Sequence, residues 1–370
     1  MDSSYPSAPL SIPEVSIIVP ARNEEVSLGA CLQSLTAQTG VAFEIIVVDD
    51  SSTDRTREIA QSFSGVRVIS AERLPHDSTA KGQTGKAWTG KNNAVVAGAR
   101  EARGPWLLFT DADTVHRPGS LARALNEAKK QEADLLSYSP EQVVVTFAER
   151  AVMPVVFAEL AAEYPPHKVR EHISRRGSRQ GSAIAAANGQ YLLVRRPAYD
   201  AVGGHASVAT EILEDVALAR LFRTAGHRVY FRYGGDAVRT RMYRNWSQLR
   251  EGWTKNLAQL FPHSERLALQ SLLLWTMAWS ALGVAVFGAI SQHFPWIAFA
   301  ALWLLVYRRI RAAHFTAANN LIAIACGLPM FAYLLLRSRK AHARGQVSWK
   351  GRVYDVGLLS ESTPGEKKAA

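Results

Sequence analysis

The residues best placed to do chemistry lie where an apolar run stops: Leu107-Leu108-Phe109-Thr110 ends on Asp111-Ala112-Asp113, two carboxylates one residue apart. Gly104-Pro105 precede the run and Pro118-Gly119 follow it, so it reads as a buried strand whose carboxyl end opens into a loop. In an open α/β sheet the ligand crevice lies outside the strand carboxyl ends, and both carboxylates are expected there. Hard divalent cations such as Mg²⁺ take one or two carboxylates and complete their shell with water and substrate phosphate oxygens. The pair therefore predicts a metal–diphosphate site. Two more acidic groups accompany it. Phe43 to Val48 ends on Asp49-Asp50-Ser51-Ser52-Thr53-Asp54, and Glu211-Ile212-Leu213-Glu214-Asp215 heads a helix that continues through Leu218, Leu221 and Phe222 to Gly226. The helix macrodipole favours carboxylates at an N-terminus, so this last cluster has a structural explanation beside a catalytic one.

The elements that must position these groups alternate in type. Strands are predicted at Val15 to Pro20, Phe43 to Val48, Val66 to Ile69 and up to Asp111, with helices from Asn23 through Leu35, Thr56 to Phe63, Asn92 to Ala102 and Gly119 to Gln131. Such alternation specifies an α/β fold with a mostly parallel, doubly wound sheet. Short strand-like pieces follow at Ala183 to Asn188 and Tyr191 to Val194, while between Met153 and Arg176 the pattern loosens. Gly85-Lys86-Ala87-Trp88-Thr89-Gly90-Lys91-Asn92 nearly matches a phosphate-binding loop. It departs where Asn92 replaces the magnesium-binding hydroxyl and where no strand precedes it; Lys86 or Lys91 is still suited to steady a diphosphate as a point charge. No Gly-x-Gly-x-x-Gly follows a strand, which argues against a nicotinamide-dependent dehydrogenase. Lys168, Arg170, Arg175, Arg176 and Arg179 form a basic insert suited to lipid phosphates or an anionic substrate.

The chain has 370 residues, a net charge of +11 and 48% hydrophobic residues, which fits a globular protein with a membrane-associated part. Two cysteines, Cys31 and Cys326, indicate neither a disulfide framework nor a thiolate zinc site. Residues 1–13 are polar and Pro/Ser-rich, without a signal-peptide pattern, so the following segment is expected in the cytosol. Near the other end, residues 245–263 predict an amphipathic helix in the membrane interface, with Trp246, Leu249, Trp253, Leu257 and Leu260 beside Arg250 and Lys255. Leu267 to Ile290 is long enough to span a bilayer, Phe294 to Tyr307 is shorter, and Leu321 to Leu336 is interrupted by Gly327-Leu328-Pro329, suggesting a kinked or re-entrant segment. The positive-inside rule prefers both Arg308-Arg309-Ile310-Arg311 and Arg337-Ser338-Arg339-Lys340 inside, so one apolar segment is expected not to cross. Residues 14–244 are thus the expected catalytic domain, 264–340 the membrane helices and 341–370 a basic tail.

The first ~260 positions resemble a family 2 glycosyltransferase of the GT-A fold. The resemblance is carried by Ile17-Ile18-Val19-Pro20-Ala21-Arg22-Asn23-Glu24-Glu25, Val47-Val48-Asp49-Asp50-Ser51-Ser52-Thr53-Asp54, Gly90-Lys91-Asn92-Asn93-Ala94, Asp111-Ala112-Asp113, Val202-Gly203-Gly204 and Leu213-Glu214-Asp215. It implies a nucleotide-diphosphate sugar donor, usually UDP-linked. Asp49 or Asp50 would lie near the nucleobase, Asp111 and Asp113 on the ribose and a Mg²⁺- or Mn²⁺-bound diphosphate, and Asp215, with Glu214, at the catalytic base. Pro20, Arg22, Glu24, Lys91, Arg250 and Trp253 join the implied donor-binding set. Leu213 stands where Thr is common, and Gln248-Leu249-Arg250-Glu251-Gly252-Trp253 departs from the Gln-x-x-Arg-Trp of processive synthases, which favours transfer of a single sugar. Gly252-Trp253-Thr254-Lys255-Asn256, Trp349-Lys350-Gly351-Arg352 and the apolar C-terminal segments are similar to bacterial carotenoid or hopanoid-type glycosyltransferases. That implies an inner-membrane, multi-pass enzyme with its catalytic domain facing the cytoplasm and a lipid acceptor. A polyprenyl-phosphate sugar transferase and a nucleotide-binding membrane scaffold are the alternatives.

Overall fold

The computed structural model describes residues 12–71, 89–165, 185–290, 296–349 and 352–355. In chain order the elements are β1 (Val15–Ala21), α1 (Leu28–Thr36), β2 (Phe43–Asp49), α2 (Thr56–Gln61), β3 (Val66–Ser70), α3 (Gly90–Glu101), β4 (Trp106–Phe109), β5 (Thr114–His116), α4 (Ser120–Lys130), β6 (Leu135–Ser139), β7 (Glu141–Gln142) and α5 (Phe147–Glu163). Then come β8 (Leu192–Arg195), α6 (Arg196–Ala201), a 3-10 turn (Gly204–Val208), α7 (Glu214–Thr224), β9 (Val229–Tyr233), β10 (Val238–Thr240), α8 (Trp246–Leu260), α9 (Ser264–Ile290) and α10 (Trp296–Arg311). The last elements are α11 (Ala317–Ile322), a π turn (Ala323–Gly327), α12 (Leu328–Ala343), β11 (Gln346–Trp349) and β12 (Arg352–Asp355).

The chain divides into two compact units, residues 1–141 with 164–241, and residues 142–163 with 242–370. The first is built on a seven-stranded sheet of order β3-β2-β1-β4-β8-β6-β9. Its pairs are parallel from β3 to β4 and between β6 and β9; β8 runs antiparallel to both neighbours. Apolar residues on both sides of a strand bury both faces. Ile17, Val19, Val47 and Leu108 meet Leu28, Leu32 and Leu35 of α1 and Leu121 and Leu125 of α4 on one side. Ile18, Ile46, Val48, Leu107 and Phe109 meet Ala94, Val95 and Ala99 of α3 and Leu218 and Phe222 of α7 on the other. A one-residue slip would exchange these sets, so the pattern fixes the register and with it the strand ends that carry the acidic groups. Of the two strand-like pieces flanking Gly189, only the second is a strand, β8; residues 185–188 are irregular.

The second unit gathers α5 with the C-terminal helices. Its core joins Val152 and Val156 of α5, Leu249, Trp253 and Leu257 of α8, and Phe331 and Leu335 of α12. The stripe that predicts an interfacial helix at 245–263 is thus packed inside its own unit. Residues Ser264–Gly288 and Ala317–Ala343, 25 and 27 residues, are long and apolar enough to cross a membrane by length and composition. The Gly327-Leu328-Pro329 interruption does not break the second of these; it is absorbed as the π turn between α11 and α12. Gly327 is required there because a β-carbon would fall 2.0 Å from the Ala151 carbonyl oxygen of α5. The indoles of Trp275 and Trp279 donate to Ala325 O at 2.8 and 3.2 Å, satisfying a carbonyl of the turn.

Candidate active site

The acidic loop after β4 rests on a buried polar network. Thr110 N–H donates to Ile18 O (3.1 Å), extending the sheet by one residue before the chain turns. The Asp111 carbonyl then accepts the Thr114 hydroxyl (2.8 Å), and the Thr240 hydroxyl donates to Asp113 O (3.2 Å). Beneath them the hydroxyls of Thr110 and Thr114 lie 3.1 and 3.2 Å from His116 Nε2, and Thr110 donates to Gln190 O at 2.8 Å. Burial pushes the His116 imidazole down to about 3, so it is a neutral part of the scaffold.

Lys91, in the first turn of α3, crosses to these carboxylates: its Nζ lies 2.9 Å from Asp111 Oδ1 and 2.8 Å from Glu214 Oε1. Desolvation opposes the ammonium charge, but Asp111 and Glu214 outweigh it and hold the Lys91 pKa well above its usual value. Asn92, the residue that spoils the phosphate-loop pattern, is fully buried and serves the site differently. Its amide nitrogen donates toward the carbonyls of Val208 (3.1 Å), Ala209 (3.0 Å) and Glu211 (3.3 Å), tying α3 to the segment that leads into Glu214-Asp215. Asp215 is held at both oxygens: Gly189 N–H donates to Oδ2 (2.7 Å) and Val216 N–H to Oδ1 (2.8 Å). Desolvation, reinforced by the Glu214 charge, pushes its carboxyl up to about 6, against the lowering effect of Lys91 and the two N–H groups. Pro20, Lys91, Asp111, Glu214 and Asp215 line one cavity, together with Gly189 and His205. Gly189 and His205 were not singled out as site residues by sequence; His205's one signal is its place directly after Gly203-Gly204.

At the neighbouring strand ends the β1–α1 and β2–α2 loops are knitted together. Arg22 donates to Asp50 O (2.9 Å), Glu24 N–H to the Thr56 hydroxyl (2.7 Å), and Ser52 N–H to Asp49 Oδ1 (3.1 Å). Asn23 and Ser51 take left-handed conformations, φ 52° and 56°, to make these turns. Asp49 and Asp50 are buried, at 6% and 8% exposure, and Arg57 lies 3.5 Å from Asp49.

Residues 16–153 match the family model for glycosyl transferase family 2. This part of the chain is a glycosyl transferase family 2 domain. The chain is 28% identical over 361 residues to the 4,4'-diaponeurosporenoate glycosyltransferase of Staphylococcus aureus strain USA300, covering 92% of this chain and 88% of that protein. Among solved structures it is similar to a mannosyltransferase from Pyrobaculum calidifontis in complex with GDP-Man and Mn²⁺, with TM-score 0.48, 16% identity, and 90% and 88% of the two chains covered. It is also similar to glucosyl-3-phosphoglycerate synthase from Mycobacterium tuberculosis in complex with phosphoglyceric acid, with TM-score 0.42, 19% identity, and 68% and 79% covered.

The acidic pair stands at the carboxyl end of β4 in a mixed, mostly parallel α/β sheet, the position expected from sequence. Among the described residues no group of three or more His, Cys, Asp or Glu side chains is placed to hold a metal ion by itself. Asp111 lines the cavity and Asp113 is not among its lining residues; such a carboxylate pair would suit a hard divalent cation that takes its remaining ligands from diphosphate oxygens and water. Arg250 and Trp253 belong to the second unit, where Trp253 is 2% exposed and packs edge-on to Tyr243 and Phe157 with centroids 5.8 and 6.2 Å away. Lys86, the basic insert at 167–179 and most of the two terminal tails lie outside the described residues.

Proposed function

We propose that this chain transfers a hexose from a nucleotide-diphosphate sugar, with UDP as the expected carrier, to a membrane lipid acceptor such as a carotenoid or another isoprenoid, with inversion at the anomeric carbon. The observation that carries the reading is the convergence of Lys91, Asp111, Glu214 and Asp215 on one cavity at the strand carboxyl ends. In the transfer, the bond from the anomeric carbon to the diphosphate oxygen breaks as the acceptor oxygen bonds to that carbon from the opposite face. Asp113 and Asp111 would hold Mg²⁺ or Mn²⁺, which would supply Lewis-acid stabilisation to the charge that gathers on the leaving diphosphate. Lys91 adds a fixed positive charge beside Asp111. Asp215, oriented by Gly189 and Val216, accepts the proton of a hydroxyl acceptor; a carboxyl raised to about 6 is ionised at neutral pH and still basic enough for that task.

The lipid acceptor rests on two supports, the relative that acts on a carotenoid acid and the two helices long enough to cross a membrane. A helix pair in the inner membrane, with the first unit on the cytoplasmic side, would bring a soluble donor to a bilayer-bound acceptor. The relative's name also favours a second acceptor chemistry, a carboxylate. Such an acceptor is already ionised at neutral pH, so Asp215→Asn would then lose less activity than Asp113→Ala.

The test is a lipid product. Membranes from cells expressing the chain are incubated with labelled UDP-glucose, Mn²⁺ and a carotenoid-containing lipid extract, and the lipids are separated and weighed by mass spectrometry. A lipid heavier by one hexose, absent with Asp113→Ala, supports the reading; label confined to water-soluble products contradicts it.

A further inference from the structure

His205 is a buried titratable group in this cavity that the transfer described above does not use. It is 2% exposed and lines the cavity with Lys91, Asp111, Glu214 and Asp215. Gly203 and Gly204 place it there. Both are left-handed (φ 75° and 54°), and a β-carbon on Gly204 would fall 2.4 Å from the Tyr199 ring, so the chain turns tightly over that tyrosine. The imidazole then sits edge-on to Phe109, centroids 4.6 Å apart.

Its tautomer follows from complete hydrogen-bond accounting. The Tyr199 hydroxyl accepts the backbone N–H of His205 (3.1 Å) and lies 3.0 Å from His205 Nδ1. The phenol has one proton to give, and among its contacts only Nδ1 can accept it. Nδ1 is therefore the acceptor, and the ring proton is on Nε2. Burial pushes the imidazole down to about 4, so at neutral pH the ring is an uncharged donor rather than a base or a cation.

We propose that His205 is a specificity-determining residue whose Nε2–H donates to a hydroxyl of the transferred sugar. The inference rests on the glycosyltransferase reading and extends it. The cavity offers three carboxylates, Asp111, Glu214 and Asp215, against one ammonium, Lys91, and now one neutral N–H. Pro20, Val95, Phe109 and Leu192 complete the lining with apolar surface. A sugar hydroxyl both donates and accepts: it gives its proton to a carboxylate and takes the imidazole N–H, satisfying both walls at once. A site built to bond a hydroxyl rejects the analogue lacking it, because the buried N–H is left unpaired.

The experiment is calorimetric binding to the purified full-length chain with Mn²⁺, using the tighter-bound of UDP-glucose and GDP-mannose, its monodeoxy analogues, and the matching nucleoside diphosphate. Wild type should lose about ten-fold in affinity for one deoxy analogue, the size of one buried hydrogen bond. His205→Phe, which keeps the aromatic packing, should bind the parent sugar nucleotide about ten-fold more weakly, bind the diphosphate unchanged, and no longer distinguish that analogue. His205→Gln, with a side-chain N–H, should restore most of the discrimination. His205→Phe that discriminates as wild type does overturns the proposal. Should that variant also lose the diphosphate, the wild type decides: equal affinity for every deoxy analogue overturns it. A wild type that binds neither sugar nucleotide nor diphosphate sinks the glycosyltransferase reading, and this inference with it.

Discussion

In the proposed transfer Asp215 is the residue on which the chemistry turns, and its environment predicts a pH profile. With its carboxyl raised to about 6, kcat/KM for a hydroxyl acceptor should fall as pH drops through that value, because the protonated form cannot accept a proton. Lys91 lowers this pKa, so in Lys91→Met the acid limb should move upward by about one pH unit while the rate also falls. A limb that stays in place would show that Lys91 does not share a field with Asp215. Asn92→Ala removes the clamp on the 208–211 segment. It should lower stability by about 1–3 kcal/mol, read by denaturant unfolding, and reduce turnover through misplacement of Glu214 and Asp215. Some of this site was legible in the sequence. Asp111, which lines the cavity, was marked by the apolar run that stops on it, a contrast that any reading of periodicity detects. Asn92 was not, because its role is to bond carbonyls 116 to 119 positions away in the chain. The role of His205 depends equally on the turn that precedes it and on Tyr199, which no spacing rule connects to chemistry.

At the scale of elements, β1, β2 and β4 were readable as continuous apolar runs, since central parallel strands must be buried on both faces. The helix α5 escaped for a related reason. Ala151 to Val156 is buried at every position, so the 3.6-residue contrast on which helix detection depends is missing, and Pro154 within it reads as a breaker. Its start did carry a signal. Thr146 and Glu149 form a capping box: Glu149 Oε2 accepts the N–H groups of Val145 (3.0 Å) and Thr146 (2.6 Å), while Glu149 N–H points to the Thr146 hydroxyl (3.4 Å). Glu149→Ala should therefore lower the stability of the second unit by about 1–2 kcal/mol, measured as a shift in its thermal transition, with Glu149→Gln recovering part of the loss. The apolar run at 321–336 misled in the opposite direction: Gly327 and Pro329 look like an interruption, yet a π turn carries the helix through and brings it against α5.

At the scale of the whole molecule, the two units divide the task. On the proposed reading the first would supply strand-end loops for a soluble, charged donor and the second apolar helices. Leu273, Met277 and Val284 of α9 are more than half exposed, a surface that suits lipid better than water. The chain should remain with membranes through an alkaline carbonate wash, and replacing Leu273 and Val284 together by Lys should release it or prevent its accumulation there. Recovery of wild type in the wash supernatant would contradict the membrane placement. The central claim, that this arrangement transfers sugar to lipid, is tested most directly by nucleotide release from the purified chain reconstituted into vesicles with UDP-glucose, Mn²⁺ and a total lipid extract. The account predicts release that requires both metal and lipid, is abolished in Asp113→Ala, and is strongly reduced in Asp215→Asn. Release that continues undiminished in both variants, or that is indifferent to lipid, would contradict it.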